Sequence, residues 1–186
     1  MKVTIPYTPR KQQAFIHKEL DKHRFSVLCC HRRFGKTVML INHLIKCCMM
    51  NKNHQPRFAY IAPTYSQAKK IAWDYLKFYT KGLPNTKYNE TELRCDFFNG
   101  SRITLLSSEN PDSIRGIYLD GVVCDEASQI SRELIDEVIR PAIADRKGWM
   151  SLCSTPKGMN NIFYDMYLKA QQEKDWFLYK AKASET

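Results

Sequence analysis

The chain has 186 residues, about the length of one domain, with 44% hydrophobic residues, 26% charged residues and a formal net charge of +10. This composition excludes a disordered chain, a collagen and a coiled coil. No run approaches the roughly 18 consecutive apolar residues of a membrane span, and the N-terminus lacks the apolar run of a secretory signal.

The basic excess is concentrated in the first third of the chain. Residues 1–57 hold 12 Lys and Arg against 2 Asp and Glu, whereas residues 58–186 hold 17 of each kind. A one-sided basic excess favours a polyanionic partner such as a nucleotide, a nucleic acid or an acidic membrane surface. It fits a solvated basic face equally well, so charge alone does not choose a function.

Seven cysteines form two adjacent pairs and three single residues. Their spacing matches no zinc motif. An odd number of cysteines within apolar runs is typical of buried thiols in a reducing compartment. We therefore expect free cysteines and a cytoplasmic protein.

Predicted strands and helices alternate along the chain, which favours an α/β fold with a mainly parallel sheet. Apolar runs predict strands at 25–30, 58–62, 122–124, 149–153 and 176–181. Helices are predicted over 9–23 with Thr8 as its cap, from Lys36 onward, over 67–78, from Ser131 with a stop or kink at Pro141, and over 160–173. Asn99-Gly100 predicts a β-hairpin between 93–97 and 102–106.

A phosphate-binding loop is predicted between the first strand and the second helix. It reads Cys30-His31-Arg32-Arg33-Phe34-Gly35-Lys36-Thr37. Backbone N–H groups and the helix N-terminus face the phosphates in such a loop, and Gly35 permits close approach. Lys36 then reaches the β- and γ-phosphates and Thr37 holds Mg²⁺. The usual pattern begins with glycine where this chain has cysteine, and the two arginines add cations.

A second motif ends a predicted strand in two adjacent carboxylates, Asp125 and Glu126. The carboxyl edge of a parallel sheet is where such folds bind ligands. Because neighbouring strand residues point to opposite faces, we expect the two carboxylates to have different roles. Asp125 is predicted to hold Mg²⁺ through water and Glu126 to polarise the attacking water.

Three further signals are weaker alone. Ser154 and Thr155 follow the next strand, where hydroxyl groups can bond a γ-phosphate, but the segment is equally a turn. Gln12 on the first helix can read an adenine edge or lie at the surface. Arg115, ten residues before Asp125 in a polar loop, fits either an arginine finger or a surface salt bridge.

In chain order these motifs resemble the large terminase subunit of tailed bacteriophages, the ATPase motor that packages double-stranded DNA into a procapsid. The matching segments are Gln12, 31–37, 62–65, 114–116, 123–127 and 154–158. The resemblance covers nearly the whole chain, but only the ATPase half of a family whose other half is an RNase-H-like nuclease. It implies a RecA-like P-loop ATPase core of the additional-strand, catalytic-glutamate type, with a mainly parallel sheet flanked by helices.

The resemblance also implies roles for the nucleotide-binding residues. Gln12, or the adjacent Gln13, corresponds to the adenine-contacting glutamine, and either Arg32 or Arg33 to the loop arginine. Lys36 and Thr37 correspond to the phosphate lysine and the magnesium threonine. The implied ligands are ATP and Mg²⁺.

For catalysis, the resemblance implies that Asp125 binds the metal and that Glu126 is the catalytic glutamate. Ser154 and Thr155 correspond to the motif that couples hydrolysis to movement, and Arg115 to an arginine inserted into a neighbour's site. The implied partners are double-stranded DNA, the portal protein, the small terminase subunit and further copies in a ring on the procapsid. The implied location is the cytoplasm of an infected bacterium, without a membrane.

The domain is expected to cover 1–181, and the polar tail 182–186 to begin a linker to a nuclease half. A helicase-type P-loop ATPase shares the glutamine and both ATPase motifs, but such helicases carry two RecA-like domains and rarely have paired loop arginines. A non-catalytic nucleotide-binding or DNA-binding module fits the basic excess, but gives no reason for Glu126 beside Asp125.

Overall fold

The computed structural model describes residues 4–185. Its helices are α1 Lys11–Leu20, α2 Lys36–Met50, α3 Tyr65–Gln67, α4 Trp73–Thr80, α5 Arg140–Ala144 and α6 Ile162–Gln172. Its strands are β1 Phe25–Cys30, β2 Arg57–Ala62, β3 Lys87–Asn89, β4 Arg94–Asp96, β5 Arg102–Ser107, β6 Gly121–Asp125, β7 Trp149–Ser154 and β8 Trp176–Ala181. Two π-helical segments, Ala68–Ala72 and Leu134–Ile139, lead directly into α4 and α5.

All eight strands form one sheet in the order β3-β4-β5-β2-β6-β7-β1-β8. The six strands from β5 to β8 in this order are parallel to their neighbours, whereas β3, β4 and β5 pair antiparallel. The mainly parallel sheet is therefore confirmed, and so is the hairpin around Asn99-Gly100, where Cys95 pairs with Ile103. β3 was not predicted, because its three residues are largely exposed and form no apolar run.

Helices cover both faces of the sheet, as its central strands require. Alternate β2 residues pack into two separate cores: Phe58 and Tyr60 into one, Ala59 and Ile61 into the other. The first core includes α2 and the helix over 65–80, and the second includes α6 and the helix ending in α5. The strands β1, β2, β6 and β7 each lead from their carboxyl ends into one of these helices. The loops between strand and helix therefore lie together at the carboxyl edge of the sheet.

The first helix begins at Lys11, so the predicted cap at Thr8 and start at Pro9 are wrong. Arg10 is the residue before the helix and has an extended backbone. The side-chain oxygen of Gln13 accepts a hydrogen bond from the backbone N–H of Arg10 at 3.0 Å. This glutamine satisfies a donor at the helix start and sets the boundary there.

The helix containing Pro141 does not stop at that residue, although a stop or kink was predicted. The side chain of Ser131 accepts from the backbone N–H of Leu134 at 3.2 Å, which confirms the predicted cap. The π-helical segment Leu134–Ile139 precedes the proline, and α5 continues to Ala144. Wider π turns relieve the contact between a proline ring and the preceding turn.

All seven cysteines are free, and six of them are buried, as predicted. Among residues 4–185 no helix has both the length and the apolar character needed to cross a membrane.

Candidate nucleotide-binding site

A tight loop joins β1 to α2. Gly35, the residue before α2, has a φ of 81°, and Arg33 has a φ of 65°, so both adopt the left-handed conformation. A Cβ atom at position 35 would lie 2.9 Å from both Arg10 Nη2 and Gln13 Nε2. Glycine is therefore required both by the backbone and by the close neighbours. The first N–H groups of α2 lie at this loop, an arrangement that binds phosphate.

The first helix holds this loop through the carbonyl oxygen of Phe34. Gln13 Nε2 donates to that oxygen at 3.1 Å, and the Arg10 guanidinium donates to it as well. Sequence reasoning selected Gln12 with the adjacent Gln13 as the alternative for the adenine contact; it missed Arg10 and the capping role of Gln13. The signal was available: a glutamine three residues after the residue that precedes the helix occupies a capping position.

Lys36 begins α2 and is buried. Its Nζ donates to Thr155 Oγ1 at 2.9 Å and lies 3.4 Å from Glu126 Oε1. Glu126 follows β6 and Thr155 follows β7, and these strands are neighbours in the sheet. One ammonium group thus joins the residues predicted for phosphate binding, catalysis and coupling.

Asp125, the last residue of β6, is buried and accepts three hydrogen bonds. Thr37 Oγ1 donates to its Oδ2 at 2.8 Å, and Tyr60 Oη donates to the same oxygen. The backbone N–H of Glu126 donates to Oδ1 at 2.9 Å. Burial raises the pKa of Asp125, and the hydrogen bonds from Tyr60 and Thr37 oppose that shift.

The oxygens of Thr37 and Asp125 fit a magnesium ion. Both are hard ligands, and they already lie within hydrogen-bond distance of each other. Protein sites bind Mg²⁺ through one or two carboxylates together with water and substrate phosphates. A cation here would also neutralise a carboxylate that burial otherwise penalises.

An open cleft of about 380 Å³ lies between these side chains. It is lined by Arg32, Thr37, Tyr60, Ala62, Pro63, Gln67, Ile71, Asp125, Glu126, Gln129, Thr155, Pro156 and Lys157. Asp125 and Glu126 both line it, although strand alternation predicted opposite faces. The reason is that β6 ends at Asp125 and Glu126 turns into the left-handed region at a φ of 49°. Such a conformation in a non-glycine residue is typical of functional sites.

The two loop arginines differ in position. Arg32 lines the cleft beside the carboxylates. Arg33 is exposed and is not among the cleft-lining residues. His31 Nδ1 lies 2.5 Å from the carbonyl oxygen of Arg32, and its ring packs edge-on against Phe34. The structure therefore distinguishes two arginines that the sequence left equivalent.

A second cavity of about 590 Å³ lies between α1, the loop and β8. It is lined by Arg10, Lys11, Gln12, Gln13, Phe15, Phe34 and Tyr179. Gln12 is thus placed beside the loop, but it lines this cavity and not the cleft. Phe34 and Gln13 both line this second cavity, and their hydrogen bond joins α1 to the loop.

Ser154 lies behind Thr155 and contacts the turn that follows β6. Its Oγ donates to Ser128 Oγ at 2.9 Å and accepts from the backbone N–H of Ser128 at 3.3 Å. The segment after β7 is therefore linked to the cleft through Thr155 and to the neighbouring turn through Ser154.

Arg115 does not line the cleft of its own chain. Its Nε lies 2.7 Å from Asp112 Oδ1, and its Nη2 lies 3.2 Å from Glu133 Oε1 and 3.8 Å from Glu137 Oε2. The guanidinium is half-exposed and surrounded by three carboxylates at the surface.

Sequence reasoning also missed Tyr60, Gln67 and Ile71, which line the cleft from β2 and the helix that follows it. Tyr60 lies in the predicted strand 58–62, where it reads as a core residue. The available signal was its hydroxyl, since a buried tyrosine requires a hydrogen-bond partner.

Three comparisons relate this arrangement to known proteins. The chain is 29% identical over 181 residues to the large terminase subunit of Thermus phage G20c, covering 87% of this chain and 36% of that protein. The ATPase domain of the Thermus phage P74-26 large terminase superposes with a TM-score of 0.79 at 24% identity, covering 97% of this chain and 84% of the other. A large terminase from a thermophilic bacteriophage, in complex with ADP, gives a TM-score of 0.77 at 18% identity, covering 91% of this chain and 44% of the other.

The structural likenesses show that the fold is the RecA-like α/β fold of large terminase ATPase domains. The chain spans about a third of the length of the curated relatives it matches. The family model described as "Terminase large subunit, T4likevirus-type, N-terminal" matches residues 31–185, from the phosphate-binding loop to the last described residue. A match over this much of the chain, with the loop and both carboxylates inside it, places the protein in the large terminase subunit family of tailed bacteriophages.

Proposed function

We propose that this chain binds ATP with Mg²⁺ and hydrolyses it to drive double-stranded DNA into a procapsid. The observation that carries the proposal is the convergence of Lys36, Thr37, Asp125, Glu126 and Thr155 at one cleft. These residues come from separate strand ends, and their chemistry matches phosphoryl transfer to water. The ADP complex of the thermophilic-phage relative supports nucleotide binding at this fold.

The triphosphate lies in the cleft with its phosphates on the loop N–H groups and on Lys36. Lys36 then exchanges its contacts with Glu126 and Thr155 for phosphate oxygens. Glu126, released from the ammonium, accepts the proton of a water that attacks the γ-phosphorus in line, while the bond from that phosphorus to the β,γ-bridging oxygen breaks and ADP leaves. Mg²⁺ held by Thr37 and Asp125 supplies charge neutralisation of the phosphates when bound.

Arg32 is the loop arginine that faces the phosphates, because it lines the cleft and Arg33 does not. The adenine lies in the second cavity beside α1, where Gln12 and Gln13 are both within the lining. Gln13 also donates a hydrogen bond to the Phe34 carbonyl. A base bound in this cavity therefore contacts a residue that holds the phosphate-binding loop.

Arg115 acts in the cleft of a neighbouring copy in a ring, since it is absent from its own cleft and lies at the surface. A finger supplied in trans accelerates phosphoryl transfer by about 10³ to 10⁵ in related systems. Ser154 and Thr155 couple hydrolysis to movement, because Thr155 contacts Lys36 and Ser154 contacts the turn after β6.

The family supports the larger setting: a portal protein, a small terminase subunit, a procapsid and the cytoplasm of an infected bacterium. Within that setting, residues 1–181 form the ATPase domain, and the tail from 182 begins the connection to a nuclease half. The basic excess of residues 1–57 supports contact with a polyanion.

Hydrolysis by the Glu126→Gln variant tests the proposal. The variant keeps the size and polarity of the side chain but cannot take a proton, so we expect ATP binding to persist and turnover to fall by at least about 10². Glu173→Gln, the same change at an exposed residue that does not line the cleft, is the control and should retain most activity. Loss of binding, or unchanged turnover, contradicts the role of Glu126. Stimulation by portal and double-stranded DNA together, and not by single strands, separates a packaging motor from a helicase.

A further inference from the structure

The outer side of the helix over 65–80 carries large apolar side chains between lysines. We call this surface the basic face; it comprises Lys70, Ile71, Tyr75, Phe78 and Lys81. Ile71 and Phe78 are each 48% exposed, and Tyr75 is exposed as well. Lys81 Nζ lies 4.8 Å from the centroid of the Phe78 ring. Exposed apolar side chains grouped on one helix face mark interaction surfaces.

The charge of this segment is strongly positive. Residues 65–81 contain four lysines and one aspartate, and that aspartate, Asp74, lies 3.8 Å from Lys77. Glu90 from the following loop also binds Lys77, at 3.0 Å. Lys70 and Lys81 have no carboxylate within salt-bridge distance among the described residues. The basic face therefore has cations available for a partner.

The basic face begins at the rim of the cleft, since Ile71 lines the cleft from the first turns of this helix. A partner that binds the basic face therefore lies beside the nucleotide in the cleft.

A surface of opposite sign surrounds Arg115. We call it the acidic face; it comprises Asp112, Glu133 and Glu137. Three carboxylates around one guanidinium leave a local charge of about −2. All three carboxylates are more than half exposed.

The two faces lie on opposite layers of the molecule. Ala68, Ala72 and Leu76 anchor the helix of the basic face in one core, whereas Ile114 and Leu134 anchor the segments of the acidic face in the other. Two different surfaces of opposite sign on opposite sides pair head to tail between copies, not across a two-fold axis.

We propose that the basic face of one copy binds the acidic face of the next. This inference rests on the proposed function, because it names the contact that brings Arg115 to a neighbour's cleft. Lys70 and Lys81 take over the carboxylates that hold Arg115 in the isolated chain. The released guanidinium then lies beside Ile71 at the cleft rim, where the phosphates of the neighbour are within its reach.

Paired charge reversals test this contact. Lys70→Glu with Lys81→Glu makes the basic face acidic, and Glu133→Lys with Glu137→Lys makes the acidic face basic. Each double variant alone sets like charges against each other at every contact, whereas an equimolar mixture of the two restores opposite charges at every contact between a copy of one variant and a copy of the other. Lys147→Glu with Lys174→Glu, two exposed lysines away from both faces, is the control for net charge.

The readouts are sedimentation mass and ATP turnover per subunit over a range of protein concentrations. For the wild type and the control we expect turnover to rise at least about tenfold with concentration, because a finger in trans is worth about 10³ to 10⁵ when fully engaged. Each double variant should stay at the dilute rate, and the mixture should regain the rise. A flat wild-type profile, or double variants that assemble like the control, overturns the inference.

The outcome is separable from that of the proposed function. Binding of a fluorescent ATP analogue and the dilute turnover rate depend on the cleft of one chain, and neither face contributes a charged residue to it. If binding is absent in the wild type, the proposed function fails; if binding and dilute turnover persist while the mixture shows no rescue, only the contact between faces fails. Recovery by mixing also shows that each variant is folded.

Discussion

Tyr60 contacts the carboxylate of Asp125, which we propose as a ligand of Mg²⁺, although Tyr60 belongs to no ATPase motif. Its hydroxyl donates to Asp125 Oδ2, the same oxygen that accepts from Thr37. We expect Tyr60→Phe to raise the Mg²⁺ concentration for half-maximal ATP turnover by about tenfold. A hydrogen bond to a charged group contributes about 1.5–3 kcal/mol, and without it a buried carboxylate is less readily charged and less firmly oriented.

A magnesium titration of turnover at saturating ATP measures this effect. Tyr118→Phe removes a hydroxyl from an exposed side chain that lines neither the cleft nor either face, and it serves as the control. An identical magnesium dependence for Tyr60→Phe and the control would remove Tyr60 from the site, since a role in packing alone survives the loss of one oxygen.

At the scale of elements, α1 is joined to the phosphate-binding loop by one buried amide. Gln13 donates to the Phe34 carbonyl at 3.1 Å and accepts from the Arg10 N–H at 3.0 Å. We expect Gln13→Ala to lower the free energy of unfolding by about 1–3 kcal/mol, because a buried group is left unsatisfied, and to weaken ATP binding as well. Gln12→Ala leaves both of these hydrogen bonds in place, and we expect it to weaken ATP binding.

Urea unfolding and calorimetric ATP titration of both variants measure the two effects. The result also decides which glutamine serves the nucleotide. If Gln12→Ala leaves ATP binding unchanged, Gln12 does not serve the nucleotide and its assignment is wrong.

A second contact between elements depends on pH. His17 of α1 and His43 of α2 meet with their Nδ1 atoms 3.1 Å apart and their rings stacked. Burial lowers the pKa of His17 to about 4 and that of His43 to about 3, with Lys46 adding to both shifts and Asp21 opposing that of His17. Both folded values lie below the ordinary histidine value of about 6.5, so the unfolded chain binds more protons at mildly acidic pH.

The contribution of this histidine pair to the free energy of unfolding is therefore fully present above about pH 6.5, and it decreases as the pH falls toward 4. We expect a loss of up to about 1.4 kcal/mol per pH unit for each histidine. Urea unfolding at pH 7, 6 and 5 measures the slope, which should be shallower in His17→Gln. His54→Gln, at an exposed position, should keep the wild-type slope. A wild-type slope in His17→Gln would show that His17 does not contribute to the acid sensitivity.

For the whole molecule, the class of fold could be predicted from sequence but the order of strands could not. Apolar runs mark β1, β2, β6 and β7, since strands buried on both faces are apolar throughout, whereas β8 is an edge strand in which only Phe177 and Ala181 are buried. The position of β1 between β7 and β8 depends on contacts across more than 100 residues, which no local pattern contains. The resemblance to terminases supplied the RecA-like type that periodicity alone did not.

The site could be predicted to the extent that single residues define it. Lys36, Thr37, Asp125 and Glu126 are recognisable because their chemistry needs those residue types beside strand ends. Which of Arg32 and Arg33 faces the cleft depends on the left-handed backbone at position 33, and that conformation has no signature in the sequence.

The uneven charge of the whole molecule leads to a final prediction about DNA. Of the net charge of +10, the whole excess lies in residues 1–57, where Lys18 and Lys52 are exposed. Binding of double-stranded DNA to these cations releases counterions, so affinity should fall steeply with salt. About four phosphate contacts would give a slope of roughly −3.6 in a plot of log affinity against log salt.

Lys18→Ala with Lys52→Ala should make that slope shallower by about 2 units, because each lost contact removes about 0.9. Lys147→Ala with Lys174→Ala removes the same charge outside this region and should leave the slope close to that of the wild type. Fluorescence anisotropy with one duplex at several salt concentrations measures all three slopes. Equal slopes for the two double variants would show that DNA responds to net charge only, and that the basic excess of the first third has no special part in binding it.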